Sequence, residues 1–109
     1  MDRKTIEVTL KQYIKKIQDV VKPQQVILYG SFARGEASEW SDIDVMVIAD
    51  YNKKRELELM NRLSMIGSKI NSNHLFDVRI SNMADYKASG HLSILSEIKK
   101  EGVLLYSSQ

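Results

Sequence analysis

The sequence predicts an α/β (α+β) fold, one small mixed β-sheet flanked by helices, in a single domain over residues 1–109. Two observations carry that expectation. Apolar residues recur at helical spacing from Ile6 to Val21 and again from Leu59 to Ile70. Short apolar runs at Val26–Tyr29, Ile43–Ile48, Leu75–Ile80 and Val103–Tyr106 have the length and composition of strands. The order is helix, strand, short helical turn, strand, helix, strand, two helices, strand.

Ile6, Leu10, Ile14, Ile17 and Val21 lie three or four residues apart, one face of an amphipathic helix. Pro23 closes it, because the residue before a proline is pushed out of helical geometry. Val26-Ile27-Leu28-Tyr29 then reads as a buried strand ending at Gly30-Ser31. From Ser31 to Ser41 the chain is small and polar around Phe32, Ala33 and Trp40, which suits a short helical turn and a loop. Ile43, Val45 and Val47 alternate with Asp42, Asp44, Met46 and Ile48, the pattern of a strand with one polar edge.

A charged helix from about Lys53 places Leu59, Leu63, Ile66 and Ile70 on its apolar stripe. LFDVRI, Leu75 to Ile80, is the next strand, with Ser81 positioned to cap the helix after it. His91 to Lys100 reads as helix, Gly102 as its C-terminal cap and Val103 to Tyr106 as a last short strand.

Composition excludes several classes of function. Charged residues are 28% of the chain but the net charge is only +2, unlike the basic excess of a dedicated nucleic-acid binder. Lys15-Lys16, Lys53-Lys54-Arg55 and Lys99-Lys100 read as solvated helix faces. There is no cysteine, hence no disulfide and no thiolate metal site. The opening MDRKTIEVTLKQYIKKIQ has no apolar signal-peptide core and no run reaches transmembrane length, so the cytoplasm is the expected location.

The candidate chemistry lies in YGSFARGEASEWSDIDVMV, Tyr29 to Val47. Carboxylates beside a core are costly unless solvent, a basic partner or a metal compensates for them. On a strand, Asp42 and Asp44 point to one face with Cα atoms about 6.6 Å apart. Such oxygen donors suit Mg²⁺ or Mn²⁺ and not zinc. Asp77 has the same apolar framing, between Phe76 and Val78. If its strand neighbours that of Asp42 and Asp44, the three carboxylates can hold two ions about 4 Å apart, as phosphoryl transfer uses. Gly30 permits close backbone approach, and Ser31 offers an amide and a hydroxyl at the start of a helical turn. Arg34, one turn on, can add a charge-assisted bond to the same phosphates. Metal on one side and amides on the other suit a nucleoside triphosphate.

Gly30-Ser31, ten residues, Asp42-Ile43-Asp44 and a later apolar-Asp-apolar at Asp77 resemble the nucleotidyltransferase superfamily of DNA polymerase beta. GSFARGEASEWSDIDVMV, and SEIKKEGVLLY from Ser96 to Tyr106, are similar to the minimal nucleotidyltransferases of bacteria and archaea. The resemblance covers nearly the whole chain, and Met46 is a small departure where an aliphatic residue is commoner. It implies a mixed sheet with flanking helices, and transfer of a nucleoside monophosphate, AMP from ATP being expected, with release of pyrophosphate. It implies that Asp42 and Asp44 ligate both of two Mg²⁺ ions, with Mn²⁺ as an alternative. Asp77 would hold the catalytic ion and help take the acceptor's proton, and Gly30 and Ser31 would bind the β- and γ-phosphates. Arg34 has a less fixed role.

Larger members add a helical domain over the cleft, for which 109 residues leave no room. The resemblance therefore implies completion by another chain, a helical HEPN toxin that this protein would adenylylate as its antitoxin. Neutralisation of that partner by contact alone, and nucleotidylation of a small molecule of the aminoglycoside type, stay open as alternatives, as does a homo-oligomer. Neither a membrane nor direct nucleic-acid contact is expected. Trp40 is expected to pack its loop on the sheet, with base stacking or a partner surface as alternatives. His74 and His91 read as surface residues, Tyr51, Tyr86 and Tyr106 as half-buried aromatics, with a self-adenylylated tyrosine left open, and Met60, Met65 and Met83 as core filler.

Overall fold

In the computed structural model, residues 3–88 and 94–108 are described, with side chains over 6–88 and 95–108. Helix α1 spans Arg3–Ile17, strand β1 Pro23–Tyr29, the five-residue helix α2 Gly30–Arg34 and strand β2 Ile43–Ala49. A 3₁₀ turn at Lys53–Arg55 leads into α3, Glu56–Ile70, followed by β3, Phe76–Ser81. Then come α4, Met83–Ala88, α5, Ile94–Glu101, and β4, Val103–Ser107. The sheet order is β3-β2-β1-β4. β1 runs antiparallel to both β2 and β4, while β2 and β3 are parallel. A parallel pair needs a long crossover, which α3 supplies. The expected mixed sheet with flanking helices is therefore what forms.

Each face of the sheet has its own core. On one, Val26, Leu28, Ile43, Val45, Val47, Phe76, Val78 and Ile80 meet Ile6, Leu10, Tyr13 and Ile17 of α1 and Leu59 and Leu63 of α3. The Tyr13 hydroxyl donates to the Leu63 carbonyl at 3.0 Å, tying the two helices together beneath the sheet. On the other, Ile27, Tyr29, Met46 and Ile48 meet Tyr86 of α4 and Ile98 of α5. β2 is thus buried on both sides beyond its first residues, and the single polar edge read from its sequence is a correction. Met46 and Ile48 share the aspartate face but lie under α4 and α5. Only the end that carries Asp42 and Asp44 opens to solvent.

Other details depart from expectation. α1 ends at Ile17 and not at Pro23, because Asp19, Val20 and Val21 turn back to hydrogen-bond Lys16 and Ile17 carbonyls. Val21 reaches the core from that turn, and Pro23 opens β1, where a missing N–H is tolerated. The cap of α4 is Asn82, whose Oδ1 accepts from the Asp85 N–H at 2.7 Å, while Ser81 closes β3. Gly102 does terminate α5: its N–H donates to the Ile98 carbonyl at 2.8 Å. A side chain there would come within 2.5 Å of Ile27 Cγ2 and the Ile98 oxygen. Met65 is 59% exposed and fills no core, unlike Met60 and Met83, which pack against one. His91 falls outside the described residues. No helix among the described residues is long and apolar enough to cross a membrane.

Candidate active site

Strand pairing draws the site together. Tyr29 of β1 pairs with Asp44 of β2, and Asp44 with Asp77 of β3. Directly paired residues point to the same face, so the three form a row across the sheet. Asp42 stands two residues before Asp44, just ahead of the strand, and Asp77 is exposed. The condition attached to Asp77, that its strand neighbour that of Asp42 and Asp44, is met by the parallel β2–β3 register.

Gly30 follows Tyr29 immediately and has φ +74°. A Cβ at this position would collide with the Asp44 carboxylate at Oδ2, so only glycine lets the chain turn here against that side chain. Ser31 is half-buried in the first turn of α2. The turn ends at Gly35, left-handed at φ 74°, where the Glu36 N–H donates to the Ser31 carbonyl at 2.9 Å.

Crowding is visible in the electrostatics. Asp44 has its pKa raised to about 6, first by burial, then by repulsion from Asp77 and from Asp42, with Arg79 and Arg34 opposing. The Tyr29 phenol is pushed up to about 12 by burial, with Arg79 pulling it back and Asp44 and Asp77 adding to the rise. Among the described residues its hydroxyl has no well-formed hydrogen-bond partner. Arg34 is exposed and bonded elsewhere, Nε to Glu36 and Nη1 to Glu101, both at 3.1 Å. It acts on Asp44 only through its charge.

A carboxylate whose proton affinity is raised by burial and by two neighbouring carboxylates is chemically suited to sharing a divalent cation with them. Their donors are all hard oxygens, the set that Mg²⁺ and Mn²⁺ take. Among the described residues, no three acidic or histidine side chains already converge as a metal cage. Strand register aligns Asp44 with Asp77 on one face of the sheet, and Asp42 stands beside them.

Two residues at the site differ from their sequence reading. His74 is buried, at 6% exposure, where a surface residue was expected. Its Nδ1 lies 2.7 Å from the Ser41 carbonyl oxygen, and its ring stands edge-on to Phe32. Trp40 does not pack on the sheet: it is 85% exposed, at the tip of a turn closed by Ser38 and Ser41. Tyr29 and Arg79 were not read as site residues. Period-two spacing from Asp77 already puts Arg79 on the aspartate face, whereas Tyr29 becomes visible only through the β1–β2 register.

Residues 9–109 match the family described as "Polymerase beta, Nucleotidyltransferase". A Methanocaldococcus jannaschii protein named "Putative protein adenylyltransferase" is 30% identical over 96 residues, 86% of this chain and 92% of that protein. A second of the same name and organism is 40% identical over 65 residues, 56% of this chain and 65%, just under two thirds, of that protein. The fold is shared with a chain of a solved "toxin-antitoxin with AMP-PNP" at TM-score 0.61 and 23% identity, covering 94% of this chain and 74% of that one. It is also shared with a chain of a "tri-AMPylated Shewanella oneidensis HEPN toxin in complex with MNT antitoxin", at TM-score 0.57 and 20% identity, covering 94% and 73%.

Proposed function

This chain belongs to the polymerase beta nucleotidyltransferase family, and from that premise we propose that it transfers AMP from ATP to a hydroxyl of a partner protein. The partner we propose is a helical HEPN-type toxin, which this protein would silence as its antitoxin. The observation that carries the catalytic part is the row Asp44–Asp77 beside Asp42, abutted by the left-handed Gly30. Relatives named as protein adenylyltransferases, and shared fold with a chain from a complex of an AMPylated HEPN toxin with its antitoxin, support the acceptor class. AMP-PNP in a solved toxin-antitoxin structure of the same fold supports ATP.

In this reading Asp42, Asp44 and Asp77 are the residues that would hold Mg²⁺. Bound Mg²⁺ supplies charge neutralisation for the transferring phosphoryl group and for the leaving pyrophosphate. Gly30 lets the backbone come close to the β- and γ-phosphates, and the Ser31 amide and hydroxyl hold them. Asp77 accepts the proton of the acceptor hydroxyl as its oxygen bonds to the α-phosphorus. The bond from the α-phosphorus to the bridging oxygen breaks, and pyrophosphate departs with that electron pair. No covalent intermediate on the protein is needed, so Ser31 positions and does not attack. Arg34 reaches the phosphates only by giving up a bond to Glu36 or Glu101.

The test is ATP labelled at the α- or the γ-phosphate, incubated with this protein, Mg²⁺ and a lysate of its source that contains the proposed HEPN-type partner. Label entering the partner from the α-position only, and absent with Asp42→Ala/Asp44→Ala, is the expected result. No transfer from either position, with the partner still neutralised by the double variant, would leave neutralisation by contact. Label from the γ-position alone would mean a kinase and overturn the reading.

A further inference from the structure

We propose that His74 is a positioning residue for the metal-binding aspartates, acting through the Ser41–Asp42 peptide; the inference rests on the function proposed above. A carbonyl oxygen can only accept, so the 2.7 Å contact to the Ser41 oxygen requires Nδ1 of His74 to carry a proton and donate it. That oxygen belongs to the peptide unit whose nitrogen is Asp42's. The adjacent Leu75 carbonyl accepts from the Ile43 N–H at 2.8 Å. Asp42 is therefore bracketed: both peptide units that flank it are fastened to residues 74 and 75. Asp42 itself is exposed and stands before the first residue of β2, so these two bonds do for it what the ladder does for Asp44.

The same ring also meets α2. His74 and Phe32 have centroids 5.2 Å apart and planes at 88°, an edge-to-face contact. Phe32 is the neighbour of Ser31, and Asp77 lies three residues after His74. One buried imidazole thus meets, directly or within a few residues, all three segments that supply the site: the Gly30-Ser31 turn, the Asp42 approach and the start of β3. Groups that orient metal ligands from behind alter metal affinity without touching the metal. His74 is buried at 6% exposure, so the role assigned to it is placement and not chemistry.

Three substitutions separate the hydrogen bond from the packing. His74→Asn puts an amide nitrogen close to where Nδ1 stands and keeps the donor. His74→Gln reaches instead toward the Nε2 position, and His74→Leu keeps bulk without any donor. The readouts are Mn²⁺ titration by calorimetry in the presence of a non-hydrolysable ATP analogue, and thermal melting without metal. The expected result is metal affinity about tenfold weaker in the Leu and Gln variants, restored in the Asn variant. Turnover should fall in step with affinity while KM for ATP changes less, because the Gly30-Ser31 turn is intact.

Wild-type metal affinity in a folded His74→Leu protein would overturn the inference. Equal loss in the Asn and Leu variants would also overturn it, since ring packing and not the bond would then matter. If His74→Leu does not fold, the Asn–Gln contrast decides: wild-type affinity in Asn and loss in Gln supports the bond, and equal affinities refute it. Absence of metal binding in the wild-type protein would instead sink the proposed function, a separately recognisable outcome.

Discussion

Replacing Asp44 by Asn tests the electrostatic reading of the site, because it should make the metal-free protein more stable while abolishing its chemistry. The carboxyl is raised from near 4 to about 6 by burial and by Asp77 and Asp42. The sign follows from linkage: the native state holds this proton more tightly than the unfolded chain. Its contribution is therefore fully present below about pH 4, is lost as pH rises through about 6, and stays lost above. About two pKa units at 1.36 kcal/mol each would be roughly 3 kcal/mol as a ceiling. Asp44 is half-exposed, and solvent screening brings the figure down to about 1 kcal/mol. Asn is nearly isosteric and carries no charge, so at neutral pH Asp44→Asn should gain about that amount. Urea unfolding without metal, followed across the acid range, gives both quantities. The decline in stability between about pH 4 and 6 should flatten in the variant. Saturating Mg²⁺ and ATP should then stabilise the wild type and leave the variant unmoved. A variant less stable than wild type without metal would refute the reasoning, because Asp44 would then be engaged in a favourable native interaction and not repelled by its neighbours.

Gly30→Ala should lose roughly 1–3 kcal/mol from the left-handed backbone alone, with a further loss as its methyl pushes the Asp44 carboxylate aside; melting temperature and ATP binding should fall together. Tyr13→Phe removes the donor to the Leu63 carbonyl and should cost about 1–3 kcal/mol in denaturant unfolding, with ATP affinity unchanged. Asn82→Ala should lose about 1 kcal/mol and Ser81→Ala clearly less, which discriminates between the two candidate caps of α4. Trp40 is the only tryptophan and is exposed beside Asp42, so its fluorescence should report on whatever docks at this end of the sheet. A change on adding Mg²⁺ and ATP alone would place the base there, and one that waits for the partner protein would place the acceptor.

The faces of Asp44 and Asp77 were legible in the sequence because each stands between apolar strand residues, and alternation states which face a strand residue occupies. The Gly30-Ser31 turn was legible for a related reason: it ends one such run and begins a polar segment. The joining of Asp77 to the other two was conditional, since pairing partners are set by topology and not by local pattern. His74 was misread because composition around it, NSNH, is that of a surface loop. What buries it is a contact with Phe32 more than forty residues away in the chain, together with a carbonyl on the loop before β2. Trp40 was misread in the opposite direction: large aromatics are usually buried, but the serine-closed turn holds this one outward. α1 stopped short of Pro23 because backbone turns at residues 19–21 end it first, and these have no sharp sequence signature.

The placement of the carboxylates on β2 has a mechanical consequence. Ile43, Val45, Val47, Ile48 and Ala49 are fully buried, and both cores of the molecule share this strand. Asp44 therefore stands on the element that is hardest to displace, one residue from the solvent end of the ladder. Preorganisation needs such support, since donors that must be drawn together at the moment of reaction contribute less than donors held ready. Asp42 lies outside the ladder and Asp77 on the edge strand, so rigidity falls off on either side of Asp44. The same gradient separates the buried sheet from an exposed rim. The row across β1, β2 and β3 is fixed by sheet register, whereas Arg34, Trp40 and Leu75 around it are exposed. Substitution at that exposed rim should leave the pairing that aligns the aspartates undisturbed. A one-residue deletion inside β2 would turn Asp44 to the opposite face from its partner Asp77 on β3.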